Sequence, residues 1–341
     1  MTADTTPTPQ PPSQNAWRRA VAAYERPSLL RSLWQITNSV IPYVALWWLM
    51  YLSLDVSIGL TIALAVPAAG FLVRIFIIFH DCGHGSFFIS HRANNALGFV
   101  TGVLTFTPYY AWRREHAIHH ATSGDLDRRD IGDIWTLTVQ EYLEASWWLR
   151  LRYRVFRNPM VLFVIGPPLM FFLWHRIPPP KAPRREKLSV LWTNLALVGV
   201  LATMGFTIGL RSYVIVQGMI MLIGGPVAVW LFYVQHQFED TYWKHHDSWQ
   251  YAPACLQGSS FYKLPKIAQW FTGNIGFHHI HHLSPRVPNY YLERCHREHP
   301  DLLMGEPLTF WSSLRSLGFR LWDEEHGRMV GFRHLKTIRT T

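Results

Sequence analysis

Apolar residues along this chain gather into long blocks instead of alternating with polar ones. Residues 36–54 and 56–79 form two nearly unbroken apolar runs parted by Asp55. Residues 190–210 and 213–234 form two more, parted by Arg211 and Ser212. Each run is close to the ~20 residues a helix needs to cross the hydrocarbon of a bilayer. Joints this short leave room only for antiparallel hairpins. Two shorter blocks differ. Residues 96–110 contain glycines, and residues 160–174 contain Pro167 and Pro168. Both read as re-entrant or interfacial segments, because they are too short and too broken to cross cleanly. The pattern predicts an all-α integral membrane protein of about four transmembrane helices in two hairpins. Three regions are expected: a disordered, basic N-terminal segment over 1–33, a membrane domain over 34–304, and a C-terminal tail over 305–341, cytoplasmic or interfacial. Within the tail, apolar and basic residues over 307–322 recur at roughly helical spacing, which suits either a helix on the membrane surface or one packed on a cytoplasmic cap.

Composition supports the membrane reading. Charged residues are 16% of the chain and apolar ones 49%. Tryptophan is abundant, with 16 residues, and Trp34, Trp47, Trp48, Trp174 and Trp230 fall near the ends of apolar runs, where an amphipathic ring prefers the headgroup level. The net charge of +10 does not point to nucleic acid, because the arginines stand between the apolar runs. Arg18, Arg19, Arg26 and Arg31 precede the first hairpin, and Arg92, Arg113, Arg114, Arg128 and Arg129 follow it. Arginine-rich flanks stay cytoplasmic, so the Asp55 and Arg211–Ser212 turns should lie outside and the chain should return to the cytoplasm at Gln235. Cys82, Cys255 and Cys295 show no spacing of a zinc knuckle or disulfide frame and read as reduced thiols.

That topology gives meaning to the histidines. His80 and His84 stand in "HDCGH", His116, His119 and His120 in "HAIHH", and His278, His281 and His282 in "HHIHH". Spacings of three and four place side chains on one helical face, and all three groups fall just beyond apolar helices on one side of the membrane. His236 stands at the end of the last apolar run, beside them. Nine imidazoles are too many for a four-coordinate zinc, the H-E-x-x-H of a metalloprotease is absent, and two irons with four or five imidazoles each fit the number; zinc and copper also accept imidazole. Neutral ligands leave the metal charge uncompensated, so carboxylates are expected behind the rings. Asp81, Glu115, Asp125, Glu239 and Asp240 are the candidates. Asn274, four residues before His278, is either a cap or a water-mediated contact to metal. His279, out of phase with its neighbours, reads as structural, as do His91, His245, His246, His296 and His299.

The motifs "HDCGHGSFF", "WRREHAIHHATSGDLDRRDIGDIW", "FYVQHQFEDTYW" and "NIGFHHIHHLSPRVPNYYL" resemble those of the integral-membrane fatty acid desaturases. The resemblance covers about 36–300, and the three residues between His80 and His84 are similar to the acyl-lipid, Δ12-like branch of bacteria, cyanobacteria and plants. Ala117, where many plant members have arginine, bears only on the subfamily. The resemblance implies O2-dependent introduction of a cis double bond into a fatty acyl chain. The cofactors it implies are two iron ions, held on His80, His84, His116, His119, His120, His278, His281 and His282; position adds His236. It further implies a membrane-lipid substrate in an apolar tunnel beneath the metals, and a bacterial inner membrane with the histidines on the cytoplasmic side. No haem-binding or Cys-rich iron–sulfur segment is evident, so electrons are expected from an external, ferredoxin-like donor. Lipid hydroxylation or ketolation on the same scaffold is the rival chemistry. A metal transporter would instead carry histidines and carboxylates at mid-membrane depth, where these runs have almost none apart from Arg74.

Overall fold

A computed structural model describes residues 13–129 and 131–338. The disorder expected over 1–12 lies outside these residues. From there on the N-terminal segment is ordered, contrary to expectation. Helix α1 (Gln14–Ala22) buries Trp17 and Val21, and apolar packing against the residues near His278–Leu283 holds it.

The first hairpin is α2 (Leu29–Ser53) and α3 (Ile58–His84), packed along each other. The second is α9 (Arg184–Thr207) and α10 (Leu210–His236). Between them come α4 (His91–Leu104), α5 (Tyr109–Thr122), α6 (Val139–Glu144), α7 (Trp147–Phe156) and α8 (Gly166–Phe172). Helices α3, α9 and α10 are long and apolar enough to cross a membrane, and α7 with the segment Val161–Arg176 makes a fourth candidate, bent by 58°. Its bend has a local cause. The break falls at residues 157–160, where Pro159 cannot donate to the preceding turn, and residues Val161–Ile165 then widen into a π-helical turn.

Helix α2, where the first span was expected at 36–54, is not among these candidates and is less apolar on average than α3 and α10. Its polar residues are turned inward. Tyr43 Oη and Trp47 Nε1 both donate to Gln217 Oε1 of α10, at 3.0 and 3.1 Å, and Gln35 pairs with Asn289. Its outward face is apolar, with Ile41, Val44, Trp48 and Leu52 exposed. A mean over the helix blends the two faces. The block at 96–110 turns at Thr105–Pro108, where Phe106 takes φ 56°, between α4 and α5.

The cap contains α11 (Tyr251–Gln257), α12 (Lys266–Phe271), α13 (His278–Leu283) and α14 (Asn289–Glu298). Arg74, buried on α3, lies 3.9 Å from the Trp270 ring of α12 and donates to its carbonyl. The C-terminal region departs from the helical spacing read over 307–322. It forms strand β3 (Leu308–Thr309), a short helix Phe310–Ser313, a 3-10 turn and strand β4 (Leu321–Asp323). Strand β3 pairs parallel with β2 (Tyr262–Lys263). Strand β4 pairs parallel with β1 (Leu137–Thr138) and antiparallel with β5 (Arg328–Val330). Buried Arg157, at the end of α7, ties this region down. It donates to the Phe319 carbonyl at 3.0 Å and to Gln237 Oε1 at 2.8 Å, next to His236. The three cysteines are free and buried.

Candidate metal centre and acyl cavity

Four helix ends meet at one place. Gly85 closes α3 in the left-handed region, φ 72°, and its N–H and that of Ser86 take the last carbonyls of the helix. The helix therefore stops with His80 and His84 at its rim. Helix α10 ends on His236. Helices α5 and α13 bring the other boxes.

The nine imidazoles divide into two groups. His80, His84, His116, His120 and His281 form one; His119, His236, His278 and His282 form the other. Within each, the candidate ligand atoms lie within 4.8 Å of one another. Helical geometry explains the division. At about 100° per residue, i and i+4 nearly share a direction while i+3 points about 100° away from i+4. On α5, His116 and His120 face the first group and His119 faces the second. On α13 the roles reverse: His278 and His282 face the second group and His281 the first. Each H-x-x-H-H box thus serves both groups, and the His120 ring stacks on His282 at 4.1 Å where they adjoin.

The donor chemistry fits metal ions. His116 Nε2 lies 3.0 Å from His80 Nε2 and 3.2 Å from His120 Nε2, which is 3.0 Å from His281 Nε2. In the other group His236 Nε2 lies 3.2 Å from His119 Nε2 and 3.0 Å from His278 Nε2. The buried Nε2 atoms of His84 and His282 have no hydrogen-bond partner. Burial holds His116, His120, His278, His281 and His282 well below the ordinary histidine range, and neighbouring imidazoles push the same way. Neutral rings aiming lone pairs at a shared point repel one another unless a cation sits between them.

Below the first group opens a cavity of about 320 Å³, lined by His80, His116 and His278 at one end and by Val73, Phe76, Phe171, Ala228, Leu231 and Phe232 along its walls. Trp112 stacks on His116 at 4.3 Å and forms part of the wall. A narrower pocket continues past Val73, Phe76 and Ala228 to Thr105, Met221 and Gly224. The walls are largely apolar and end at the imidazoles.

The fatty acid desaturase family model matches residues 47–313. The chain belongs to that family. A fatty acid desaturase of Bacillus subtilis (strain 168) is 52% identical over 95% of this chain and 92% of its own length. Two Synechocystis proteins are more distant. An sn-1 oleoyl-lipid 12-desaturase is 25% identical over 75% of this chain and 74% of its own, and an sn-1 acyl-lipid omega-3 desaturase (ferredoxin) is 27% identical over 65% and 62%. The protein is a membrane-associated oxidoreductase of fatty acid metabolism, and nothing favours hydroxylation over desaturation.

Around the desaturase's imidazoles, the partners at Nδ1 turn Nε2 inward. Asp81 Oδ1 lies 3.2 Å from His80 Nδ1, while its Oδ2 accepts from the backbone N and Nδ2 of Asn289 at 2.7 and 2.8 Å. His236 Nδ1 faces the Gly258 carbonyl at 3.2 Å. The shortest of these contacts involves a residue absent from the sequence reading: Asp133 Oδ1, 2.6 Å from His119 Nδ1. Gly132 makes it possible. It takes φ 78°, and a Cβ there would stand 2.8 Å from the Glu115 carbonyl oxygen and 2.9 Å from His119 Cβ. Gly–Asp occurs twice after the second box, at 124–125 and 132–133, so the sequence alone did not single out Asp133.

The other candidate carboxylates are placed differently. Asp125 pairs with His246 Nδ1 at 2.8 Å and with Arg128. Glu115 borders the cavity. Glu239 and Asp240 are exposed. Asn274 precedes α13 in a turn, φ 60°, and its Nδ2 donates to the Asn289 carbonyl at 3.3 Å, so it shares no helical face with His278. His279 is buried beside His296, 3.4 Å between ring nitrogens, outside both groups. His245 pairs with Asp127 and Glu324 at the surface. One more ligand-like trio, Asp323, His326 and His334, lies at the β4–β5 hairpin, where both rings flank the carboxylate at 2.9 Å.

Proposed function

We propose that the chain holds two irons and uses O2 to introduce a cis double bond into the acyl chain of a membrane lipid. One iron is assigned to His80, His84, His116, His120 and His281, the other to His119, His236, His278 and His282. The observation that carries this reading is the convergence of nine imidazoles, seven buried and two half-buried, in groups of five and four, at the end of a largely apolar cavity. Bound irons would supply an oxidant able to take hydrogen from an unactivated methylene, which no acid or base can do. In balance, the acyl chain loses two hydrogens as –CH2–CH2– becomes –CH=CH–. With two electrons and two protons from outside, these reduce O2 to two waters.

The protein's own part is positional. The walls from Val73 to Phe232 exclude water and hold one stretch of hydrocarbon against His80, His116 and His278. Asp81, Asp133 and the Gly258 carbonyl hold the rings behind it in one orientation. The cyanobacterial relatives desaturate acyl lipids, one of them with ferredoxin, which supports a lipid substrate and a ferredoxin-like donor here. The hairpin turns lie at the ends of α3 and α10 remote from the histidines, and arginines gather on the histidine side. This supports a cytoplasmic-facing site in a bacterial inner membrane.

The test is alanine substitution at each of the nine histidines in a host lacking the activity, read by gas chromatography–mass spectrometry of fatty-acid methyl esters with double-bond derivatisation. Each variant should insert into the membrane, hold less metal and make no new double bond. Full activity in His119→Ala or His236→Ala would refute the ligand assignment; an added oxygen in place of a double bond would refute the reaction.

A further inference from the structure

A second cavity, about 440 Å³, lies away from the imidazoles between α7 and the C-terminal segment. Arg150, Arg154, Tyr142, Phe332, Leu335 and Lys336 line it, and no carboxylate is among the lining residues. Both guanidinium groups are already held in place. Arg150 donates from Nε to the Ala145 carbonyl at 2.8 Å and from Nη2 to the Leu143 carbonyl at 3.1 Å. Arg154 donates from Nε to Tyr142 Oη at 2.5 Å and lies 4.7 Å from the Phe332 ring. Among the described residues, Arg150 Nη1 and the two Nη atoms of Arg154 have no protein partner. Two fixed guanidinium groups one helical turn apart, with donors to spare, suit the tetrahedral oxygens of a phosphate.

The surroundings indicate where that phosphate would come from. The same helix exposes Trp147, Trp148, Leu151 and Val155, Trp147 by 73%. Exposed tryptophan and aliphatic side chains beside arginines are the signature of a helix lying at the headgroup level of a bilayer. Helix α7 then runs, through its 58° bend, into the apolar segment Val161–Arg176. The groove therefore opens at the level where lipid phosphates lie.

We propose that this groove binds the phosphate of an anionic phospholipid of the surrounding membrane, at a site separate from the acyl cavity. The bound lipid fastens α7 to the interface. Because α7 continues into α8, whose Phe171 lines the acyl cavity, it also steadies one wall of that cavity. This requires only that the protein sits in a membrane, and it stands whichever oxidation the metal centre performs.

The test uses the full-length enzyme in detergent, titrated with phosphatidylglycerol or phosphatidylcholine and read by native mass spectrometry. Phosphatidylglycerol should bind at a saturable site, and phosphatidylcholine should bind more weakly. Arg150→Gln/Arg154→Gln should weaken phosphatidylglycerol roughly 20- to 30-fold, about fivefold per arginine near an anionic surface, with metal content at the wild-type level as evidence of folding. Arg184→Gln/Arg185→Gln, basic residues elsewhere on the same membrane side, should leave it unchanged. Equal binding of the two lipids, or unchanged phosphatidylglycerol affinity in the Arg150/Arg154 variant, would overturn the site. Full recovery by lysine at both positions would also overturn it, since a diffuse positive surface would then suffice.

Discussion

Replacing Asp133 by asparagine removes one charge and leaves the shape of the four-imidazole group nearly intact. The side chain is 6% exposed, His119 is fully buried, and their contact is 2.6 Å. A hydrogen bond to a buried carboxylate is worth about 1.5–3 kcal/mol and a neutral one about 0.5–1.5 kcal/mol. Asparagine can still accept from Nδ1–H, so the loss is roughly 1–1.5 kcal/mol, or about tenfold in metal affinity. Alanine removes the contact and frees the ring to turn, which raises the loss to the 10- to 100-fold typical of such supports. The assay is metal content by plasma mass spectrometry during titration with a chelator. Wild type should hold two metals with similar tenacity. Asp133→Asn should surrender one of them at about a tenth of the chelator concentration, and Asp133→Ala earlier still, while the five-imidazole group keeps its metal. Asp127→Asn, which alters an exposed pair with His245, serves as the control. If both Asp133 variants released their two metals along the wild-type curve, the argument that this carboxylate orients a ligand would fail.

Three further outcomes are expected. Gly132→Ala places an L side chain at φ 78°, at about 1–2 kcal/mol of backbone strain, and drives its Cβ against Glu115 and His119; loss of one metal and a lowered melting temperature should follow, and a wild-type melting curve would contradict it. Ala228→Phe projects a ring into both the main cavity and its extension, so desaturation of long chains should fall roughly 10²-fold through misplacement of the reacting carbons with both metals retained; wild-type product yield would show that the chain lies elsewhere. In metal-free protein, His120, His278, His281 and His282 have folded pKa values below their unfolded value. The unfolded chain therefore binds more protons, and stability falls as pH drops below about 6.5, by up to about 1.4 kcal/mol per group at pH 5.5. Melting temperatures of stripped enzyme should decline between pH 7.5 and 5.5 and those of the metal-loaded enzyme less so; parallel curves would refute the linkage.

Much of this protein is written locally. Apolar runs of about 20 residues commit the chain to helices in a membrane, because exposed backbone cannot be satisfied there in any other way. Histidines three and four apart commit each box to one side of its helix, whatever else the chain does. For that reason the eight boxed imidazoles, which the fold brings into two groups, could be picked out from the order of residues alone, and His236 from its place at the end of an apolar run. The division into five and four was latent in the same spacing, since neighbours on a helix diverge by about 100°. Seeing it required the relative placement of α5 and α13.

The remainder depends on which surfaces meet. Asp133 looks like any loop aspartate until Gly132 bends the chain over His119. Helix α2 is less apolar on average than α3 and α10 because it turns Tyr43 and Trp47 to Gln217 of its partner α10, and a mean over sequence cannot separate the inward face from the outward one. Residues 307–322 have helical spacing, and 310–318 do coil as a short helix and a 3-10 turn, yet the two ends extend as β3 and β4 because the edges of Tyr262–Lys263 and Leu137–Thr138 are waiting for them. Periodicity reports what a segment can bury; only the folded neighbours decide against what, and backbone hydrogen bonds to a distant strand leave no trace in the residues that make them.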